Sequence, residues 1–342
     1  MIQTFFKRFA LEIAVILALV VICAIEPGFL SMRNLRNILM IACPLMIMGI
    51  GFSICLINGI HDFSCASVAA LAGVIAASLS QSEEASRKMF ADVITLPLPA
   101  VLGVALVIAL AAALLHTAFT AVGKVPTFVS SIALGGAFTG IISFYLELPE
   151  GGYRILSGFS AGFSALGSMF FGGKGVYAVP LQAVILLGLL AVFFVVMNYL
   201  KIGSFFNGKQ NFNAENKLAL FIKIFIIFAV ANILYTFAGC LEASRQNRVG
   251  VGFWSDALFS VVAGTLLGSV SVKGGRGTVI HAAIGIFLVS ALQYALVFIG
   301  AQSGIQKIVI CALMIAAVIV DTTQDSRRAT PFPLEHEKNP AE

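Results

Sequence analysis

Ten long apolar runs, separated by short stretches where glycine, proline and charged residues cluster, dominate this 342-residue chain. A helix needs about 20 predominantly apolar residues to cross the hydrocarbon core of a bilayer. Lipid cannot hydrogen-bond a peptide group, so a spanning segment of this kind must be helical. The pattern therefore predicts an all-α polytopic membrane protein with about ten transmembrane helices, at residues 9–25, 38–58, 64–80, 93–119, 128–146, 177–200, 219–241, 257–272, 278–299 and 305–321.

The composition excludes a water-soluble domain. Hydrophobic residues make up 59% of the chain and charged residues 11%, whereas soluble domains are about 45–50% apolar and about 25% charged. The net charge of +5 comes from basic residues scattered over many loops, which does not form the basic face that nucleic acid requires. The six cysteines lie in or beside apolar runs and form no C-x-x-C pair. We expect them to pack as small hydrophobic groups.

An even number of spans puts both termini on one side of the membrane. Of the 21 Lys and Arg residues, twelve fall on the side of the termini and nine on the other, so the positive-inside rule predicts cytoplasmic termini. Lys7 and Arg8 precede an apolar run with no A-x-A cleavage site, and we expect this first span to be retained. The predicted domains are a transmembrane domain at 1–321 and a charged, disordered cytoplasmic tail at 322–342.

Two segments between the spans stand out. Residues 147–176, predicted to be external, are rich in glycine and phenylalanine. They are typical either of a folded lid or short interfacial helix, or of a flexible surface loop. Residues 201–218 (KIGSFFNGKQNFNAENKL) form the longest predicted cytoplasmic loop and the most polar stretch inside the chain. If a cytoplasmic protein docks on this chain, we expect it to dock there.

Signatures of enzymes are missing from the sequence. There is no H-E-x-x-H, G-x-S-x-G or G-x-x-x-x-G-K-[ST]; GGKGVY at 172–177 and GGRGTV at 274–279 lack the spacing that holds a nucleotide phosphate. The four histidines are widely separated, and none has a second ligand at helical spacing. We therefore predict no catalytic residues, no cofactor, no metal and no ATP hydrolysis by this chain.

Polar residues inside apolar spans are costly unless they face a cavity or a partner. The densest group is Asn58-Gly59-Ile60-His61-Asp62-Phe63-Ser64, between two almost wholly apolar spans. Asn58, His61, Asp62 and Ser64 are typical of a broken helix that lines a translocation path. The spacing equally fits an ordinary cytoplasmic turn in which Asp62 or Ser64 caps the next helix.

Several single residues within or near the spans also lead to predictions. Asn232 and Gln293 are isolated polar residues on apolar helices, and we expect them to link neighbouring helices. Glu12 and Glu242 lie near span ends, where solvation is possible. Glycines along the spans favour close helix approach; they include Gly135, Gly136, Gly140, Gly264 and Gly268.

The last third of the chain carries recognisable motifs. It contains LEASR at 241–245, a glycine-rich turn, and an apolar final helix that ends at Asp321. In these features, and in GKVPTFVSSIALGGAFTGI at 123–141, the chain resembles bacterial ABC importer permeases of the ribose/galactose sugar family. Residues 76–103 and 157–169 are similar to the methyl-galactoside (galactose/glucose) branch. The family motif residues are Glu242, Arg245, Gly274, Gly275 and Gly277.

The resemblance covers about residues 1–321 and implies an ABC importer permease fold of ten helices in the cytoplasmic (inner) membrane. It also implies a permease homodimer, a separate cytoplasmic ABC ATPase and an extracytoplasmic sugar-binding protein. Two motifs depart from the family pattern. The G-I-D-L-S-x-G motif keeps Asp62 and Ser64 but loses the adjoining glycines. The ATPase coupling loop is only loosely matched, at Gly203, Lys209, Asn211, Ala214 and Glu215.

The function implied is import of a monosaccharide such as galactose, glucose or methyl-galactoside. A permease for ribose, a nucleoside or another small polar solute is the alternative within the same class. An ATP-independent secondary transporter or channel is an alternative from another class. The altered coupling loop leaves room for a third, a degenerate membrane scaffold or one half of a heterodimer.

Overall fold

The computed structural model describes residues 10–85, 88–90, 94–148, 155–172, 175, 178–199, 203, 206 and 217–324. Within these residues the chain forms eleven α-helices: α1 (Ala10–Ile25), α2 (Met32–Ile57), α3 (Cys65–Leu79), α4 (Leu98–Thr117), α5 (Thr127–Glu147), α6 (Ala161–Ser168), α7 (Leu181–Tyr199), α8 (Lys217–Gln246), α9 (Ala257–Leu267), α10 (Val279–Phe298) and α11 (Ser303–Gln324). Four short strands accompany them: β1 (Ile155–Ser157), β2 (Phe170–Phe171), β3 (Val179–Pro180) and β4 (Arg248–Gly250).

Each predicted span overlaps one of these helices, so the all-α polytopic prediction is confirmed. Seven helices in the described part of the chain are long and apolar enough to cross a membrane, whereas α1, α3 and α9 are shorter. Helix α11 continues to Gln324, three residues beyond the predicted domain limit, and residues 325–342 lie outside the described ranges. The limits of the two predicted domains stay a prediction.

The predicted span 257–272 was wrong in its last five residues, because α9 ends at Leu267. Ser269 adopts the left-handed conformation, with φ of +59°. Its N–H donates to Leu266 O, and the N–H of Val270 donates to Thr265 O. These two bonds close the helix as in a Schellman motif. The apolar composition of 268–272 hid this end, since a serine rather than a glycine takes the left-handed position.

The helices divide into two compact units, and the first contains α1, α2, α7, α9, α10 and α11. Within it, α10 packs against α2, α9 and α1. The apolar window of α2 is 83% buried, whereas that of α7 is 17% buried and that of α11 is 11% buried. Helix α2 is therefore a core helix of its unit. The apolar surfaces of α7 and α11 suit contact with lipid, which is as apolar as their side chains.

The second unit contains α3, α4, α5, α6 and α8. Helix α8 is its centre and packs against α3, α4 and α6, while α3 also packs against α5. The longest helix in the described ranges, α8, extends five residues past the predicted span end at 241. This extension carries the LEASR motif on an intact helix.

Glycines permit the closest helix contacts in both units, as predicted for Gly264 and Gly268. In the first unit a Cβ at Gly264 would lie 2.5 Å from Ile286 Cα, and one at Gly268 would overlap the carbonyl oxygen of His281. In the second unit a Cβ at Gly239 on α8 would overlap the carbonyl oxygen of Ala69 on α3. In contrast, Gly136 has no atom within 4 Å of such a Cβ.

Replacing Gly239 by alanine is expected to destabilise the protein, because the added methyl group meets backbone rather than a movable side chain. Overpacking of this kind costs about 1–3 kcal/mol, which corresponds to a fall in the melting temperature of roughly 2–10 °C. Thermal unfolding of the purified chain in detergent measures this change. Gly136→Ala is the matched control and should leave the melting temperature unchanged or slightly raised. Equal effects of the two variants would contradict the packing of α3 on α8.

The segment 147–176 is folded where it is described, which favours the short helix over the flexible loop. Helix α6 begins after Ser160, whose hydroxyl accepts from the N–H of Phe163. Ser244 of α8 fixes this helix by accepting from the N–H of Gly167 at 2.7 Å and donating to Phe163 O at 2.6 Å. Strand β1 pairs with β4 in antiparallel register, with Ser157 opposite Arg248. Whether the segment acts as a lid stays a prediction.

Glu83 stabilises the loop between α3 and α4 through hydrogen bonds to two other residues of the loop. Its carboxylate accepts from Lys88 Nζ at 2.7 Å, from Thr95 N at 2.8 Å and from Thr95 Oγ1 at 2.7 Å. The hydrogen bond from Lys88 and those from Thr95 lower the pKa of Glu83 to about 2. Because the pKa of Glu83 is lower in the folded protein, these contacts stabilise the fold fully above the ordinary carboxyl pKa. This stabilisation is lost as the pH falls toward about 2.

The isolated polar residues behave differently from one another. Gln293 of α10 donates to Ser260 Oγ of α9 at 2.8 Å, which confirms the predicted link between helices. The prediction for Asn232 was wrong, because its Nδ2 donates to Phe228 O in its own helix. Glu12 is half-buried and accepts from Ser269 Oγ at 3.3 Å. Of the six cysteines, all free, four are buried and two half-buried, as expected for packing groups.

Candidate functional site

The turn from Asn58 to Ser64 joins α2 to α3, and its first part belongs to the first unit. Gly59 has a φ of +75°, its N–H donates to Leu56 O, and the N–H of Ile60 donates to Cys55 O. These are the two bonds of a Schellman motif, which explains the glycine at this position. Asn58 is 4% exposed and donates through Nδ2 to Ile54 O at 2.8 Å. Its Oδ1 has no hydrogen-bond partner among the described residues.

The second part of the turn builds a buried polar cluster in the second unit. Asp62 Oδ1 accepts from Ser64 N at 3.1 Å and from Ser64 Oγ at 2.6 Å. Ser64 Oγ also lies 2.9 Å from His116 Nε2. Asp62, Ser64 and His116 are all 0% exposed. A solvated surface turn would leave these side chains exposed, so the burial does not fit an ordinary surface turn. Asp62 nevertheless accepts hydrogen bonds from Ser64, the residue that precedes α3.

His116 is the member of this cluster that sequence reasoning missed. It lies on α4, 52 residues from Ser64, and stacks on Phe228 of α8 with ring centroids 4.9 Å apart. No local spacing could reveal a contact of this range. His61, in contrast, was predicted with the cluster but is half-buried. Its backbone N–H donates to Thr127 Oγ1 at the start of α5, at 3.2 Å.

The hydrogen bonds assign the protons of the cluster. Ser64 has one hydroxyl proton, and the 2.6 Å contact places it on the bond to Asp62 Oδ1. Ser64 Oγ must then accept from His116, so the Nε2 atom of His116 carries a proton. In the neutral imidazole Nδ1 is an acceptor. Nδ1 of His116 and Oδ2 of Asp62 are thus two buried acceptors that lack a partner among the described residues.

This arrangement is not that of a hydrolase. In a catalytic triad the histidine lies between the serine and the carboxylate and withdraws the proton from the serine. Here Ser64 lies between Asp62 and His116 and donates its hydrogen bond to Asp62. The cluster can hold hydrogen-bonding groups in a fixed orientation, but it does not activate a nucleophile.

The glycine-rich turn after α9 packs on the end of α2 within the first unit. Gly274, Gly275 and Gly277 have φ of +80°, +74° and +121°, which favour glycine. The N–H of Gly275 donates to Ile57 O at 2.7 Å. A Cβ at Gly274 would lie 2.8 Å from the Cα of Gly59. The family motif glycines therefore allow two turns to meet backbone to backbone.

Asp321, near the end of α11, holds this glycine-rich turn from the other side. Its Oδ2 accepts from Val272 N at 2.8 Å and from Ser271 Oγ at 3.0 Å, and its Oδ1 lies 2.5 Å from Arg276 Nη2. Asp321 is 7% exposed. Asp321 therefore joins α11 to the glycine-rich turn through two hydrogen bonds and an ion pair.

Glu242 and Arg245 of the LEASR motif form a bidentate ion pair on α8. Arg245 Nη2 lies 2.6 Å from Glu242 Oε1, and Arg245 Nε lies 2.8 Å from Oε2. Gln246 Nε2 donates to the same Oε1 at 2.7 Å. Glu242 is 3% exposed, so the expectation of a solvated side chain was wrong. The extension of α8 past residue 241 provides these partners.

The predicted ATPase coupling loop falls mostly outside the described residues, including Lys209, Asn211, Ala214 and Glu215. Gly203 is described, and a Cβ on it would overlap the carbonyl oxygen of Val196 at the end of α7. A side chain at position 203 would therefore clash with the backbone of α7. The role of the loop stays a prediction.

Comparison with known proteins assigns the chain to a family. Residues 34–318 match the family described as the branched-chain amino acid transport system / permease component. The galactose/methyl galactoside import permease protein MglC of Escherichia coli (strain K12) is 28% identical over 334 residues, which cover 95% of this chain and 97% of that protein.

Two further relatives match over a similar length. The ribose import permease protein RbsC of Haemophilus influenzae is 30% identical over 328 residues, covering 92% of this chain and 94% of that protein. The probable ABC transporter permease protein YphD of Escherichia coli (strain K12) is 25% identical over 339 residues, covering 96% and 95%. No solved structure is a significant match. The chain therefore belongs to the branched-chain amino acid transport system permease component family, and it is a polytopic ABC permease subunit rather than an enzyme.

Proposed function

We propose that this chain is the membrane-spanning subunit of an ATP-driven importer for galactose or a closely related monosaccharide such as methyl galactoside. The cargo is suggested by the relatives named for galactose and methyl galactoside import, which match along nearly the whole chain. As a permease component, the chain requires an ATPase subunit and a substrate-binding protein as partners. We infer that the binding protein delivers the sugar at the external face and that both termini are cytoplasmic.

The observation that carries the proposal is the buried cluster of Asp62, Ser64 and His116. Its two unpaired acceptors, Asp62 Oδ2 and His116 Nδ1, are buried in this conformation, and we infer that they accept from water or from sugar hydroxyls when the path opens. The carboxylate of Asp62 already accepts a hydrogen bond from Ser64 Oγ, and the buried carboxylate of Glu242 forms an ion pair with Arg245. A neutral polyhydroxyl cargo fits such a path better than a coupling ion, which needs an uncommitted carboxylate.

The proposed mechanism divides the work between this chain and its partners. Sugar enters from the binding protein, and two permease copies enclose the path as a homodimer. ATP-driven closure of the ATPase subunits moves the 201–218 loops and alternates access to the path. The overlap that a side chain at Gly203 would create with α7 supports close contact of this glycine with the helix.

Uptake of labelled galactose tests the coupling part of this proposal. Cells that express the permease with its ATPase and binding protein are expected to lose most uptake when Lys209, Asn211 and Glu215 are changed together to alanine. The physical reason is that these side chains supply the polar contacts of the predicted docking loop. The matched control changes Lys338, Asn339 and Glu337 of the predicted tail and should leave uptake intact. Unchanged transport in the loop variant would overturn the coupling role.

Ribose is the second candidate cargo, because the ribose permease RbsC of Haemophilus influenzae is 30% identical to this chain. Competition separates the two sugars: an excess of unlabelled ribose should leave galactose uptake unaffected. ATP dependence separates an ABC importer from a secondary transporter. Ion-driven flux in liposomes that contain this chain alone would contradict the proposed function.

A further inference from the structure

A shallow cavity of about 230 Å³ lies in the second unit, where the chain leaves α8. Drug-sized ligands occupy pockets of about 300–1,000 Å³, so this cavity suits a smaller molecule. It contains Trp254, the single tryptophan of the sequence. The cavity is formed by residues of one short stretch and one residue of β1: Gln246, Arg248, Val249, Gly250, Val251, Gly252, Phe253, Trp254 and Ile155.

Unusual backbone conformations shape this cavity. Asn247 and Trp254 have φ of +51° and +56°, and Gly252 has φ of +78°. Left-handed conformations are uncommon for a bulky residue such as tryptophan and persist only where the surrounding structure enforces them. Around Trp254 the turn is held by backbone hydrogen bonds from Phe253 N to Gly250 O at 3.0 Å and from Ser255 N to Gly252 O at 3.2 Å. Phe253, 8% exposed, anchors the turn beside Trp254.

Two polar side chains border the cavity, and α8 orients one of them. Gln246 is held by its bond from Nε2 to Glu242 Oε1, at 2.7 Å, and Glu242 is fixed in turn by Arg245. Arg248 is exposed and makes no ion pair with any residue in the described part of the chain. The cavity is therefore lined by the indole of Trp254, by the amide of Gln246, which is held in one orientation, and by the exposed guanidinium of Arg248.

We propose that this cavity is an entry site for a pyranose sugar, with Trp254 as the stacking surface and Arg248 and Gln246 as partners of the hydroxyls. One side of a pyranose ring carries C–H groups, which the negative face of an indole attracts. Its rim carries hydroxyls that accept from a guanidinium or pair with an amide. The inference rests on the proposed function, and it places the site at the end of α8 that is predicted to be external.

Intrinsic fluorescence tests the site directly, because Trp254 is the only tryptophan in the chain. The full chain in lipid nanodiscs is titrated with methyl β-D-galactoside, and we expect a saturable change in emission. Arg248→Ala removes a charge-assisted partner from an exposed position and should raise the apparent Kd roughly tenfold. Mannitol, an open-chain polyol without a ring face, is expected to give no saturable change.

Uptake measurements provide the second readout. Trp254→Leu should raise the galactose concentration needed for half-maximal uptake in the complete transporter, and Trp254→Phe should restore most of the loss because it keeps an aromatic face. Normal uptake by Trp254→Leu together with a silent titration would overturn the entry site and leave the proposed function standing. An equal response to mannitol would also overturn it. A saturable response to another pyranose without galactose transport would support the site and refute the galactose assignment.

Discussion

Replacing Asp321 by alanine is expected to destabilise the protein, because it breaks the contacts that join α11 to the glycine-rich turn. The Asp321 carboxylate accepts hydrogen bonds from Val272 N and Ser271 Oγ and forms an ion pair with Arg276. Asp321 is 7% exposed. Its removal deletes the hydrogen bonds from Val272 N and Ser271 Oγ at a buried position. Arg276 is 37% exposed and regains solvent, so we estimate a loss of about 2–4 kcal/mol. Scanning calorimetry of the detergent-solubilised chain at a fixed scan rate measures this loss.

Two further variants separate the charge of Asp321 from its hydrogen bonds. Asp321→Asn keeps one acceptor oxygen and is expected to lose less than Asp321→Ala. Arg276→Gln should cost less again, since Arg276 is partly solvated. The double variant Asp321→Asn with Arg276→Gln should be less destabilised than the sum of its parts, because both single changes break one ion pair. Additive losses would show that Asp321 and Arg276 do not interact.

The sequence was sufficient to predict the spans and insufficient to predict what the polar residues contact. Lipid imposes helices wherever apolar runs are long enough, so every predicted run contains a helix. Helix ends depend on single residues such as Ser269, which takes a conformation usually left to glycine. The apolar pattern therefore could not show that α9 stops at Leu267.

Contacts between distant residues explain the remaining differences. His116 was considered only as a metal ligand and set aside because no second ligand lies at helical spacing from it, yet packing of α4 against α3 and α8 brings it to Ser64. Asp321 was noted only as the residue that ends the last apolar helix, but its carboxylate also accepts from Val272 N and so holds the glycine-rich turn. Glu242 was misjudged because the helix was predicted to end at 241, before Arg245 could pair with it.

Ser64→Ala is expected to abolish most galactose uptake, because it removes the hydroxyl that joins Asp62 to His116. Among the described contacts, Asp62 then keeps the 3.1 Å bond from Ser64 N, and the Nε2 atom of His116 lies 3.9 Å from Asp62 Oδ1, too far for a hydrogen bond. Both groups are 0% exposed, and an unsatisfied buried polar group costs about 1–3 kcal/mol. His116 is then free to rotate on Phe228, and the two acceptors proposed to face the path lose their fixed positions. Uptake per folded permease, measured with labelled galactose, reports this loss.

A purely structural role for the cluster makes a different prediction, and matched variants distinguish the two. If Ser64 only supports the fold, uptake per folded molecule should be normal even when the melting temperature falls. Ser67→Ala is the control one turn along α3, where the residue is half-buried and its hydroxyl accepts a long, 3.3 Å hydrogen bond from Thr139 Oγ1. His116→Gln keeps an N–H donor for Ser64 and should retain more uptake than His116→Ala. Equal uptake by these two His116 variants would count against the proposed role, because the bond to Ser64 is the contact that separates them.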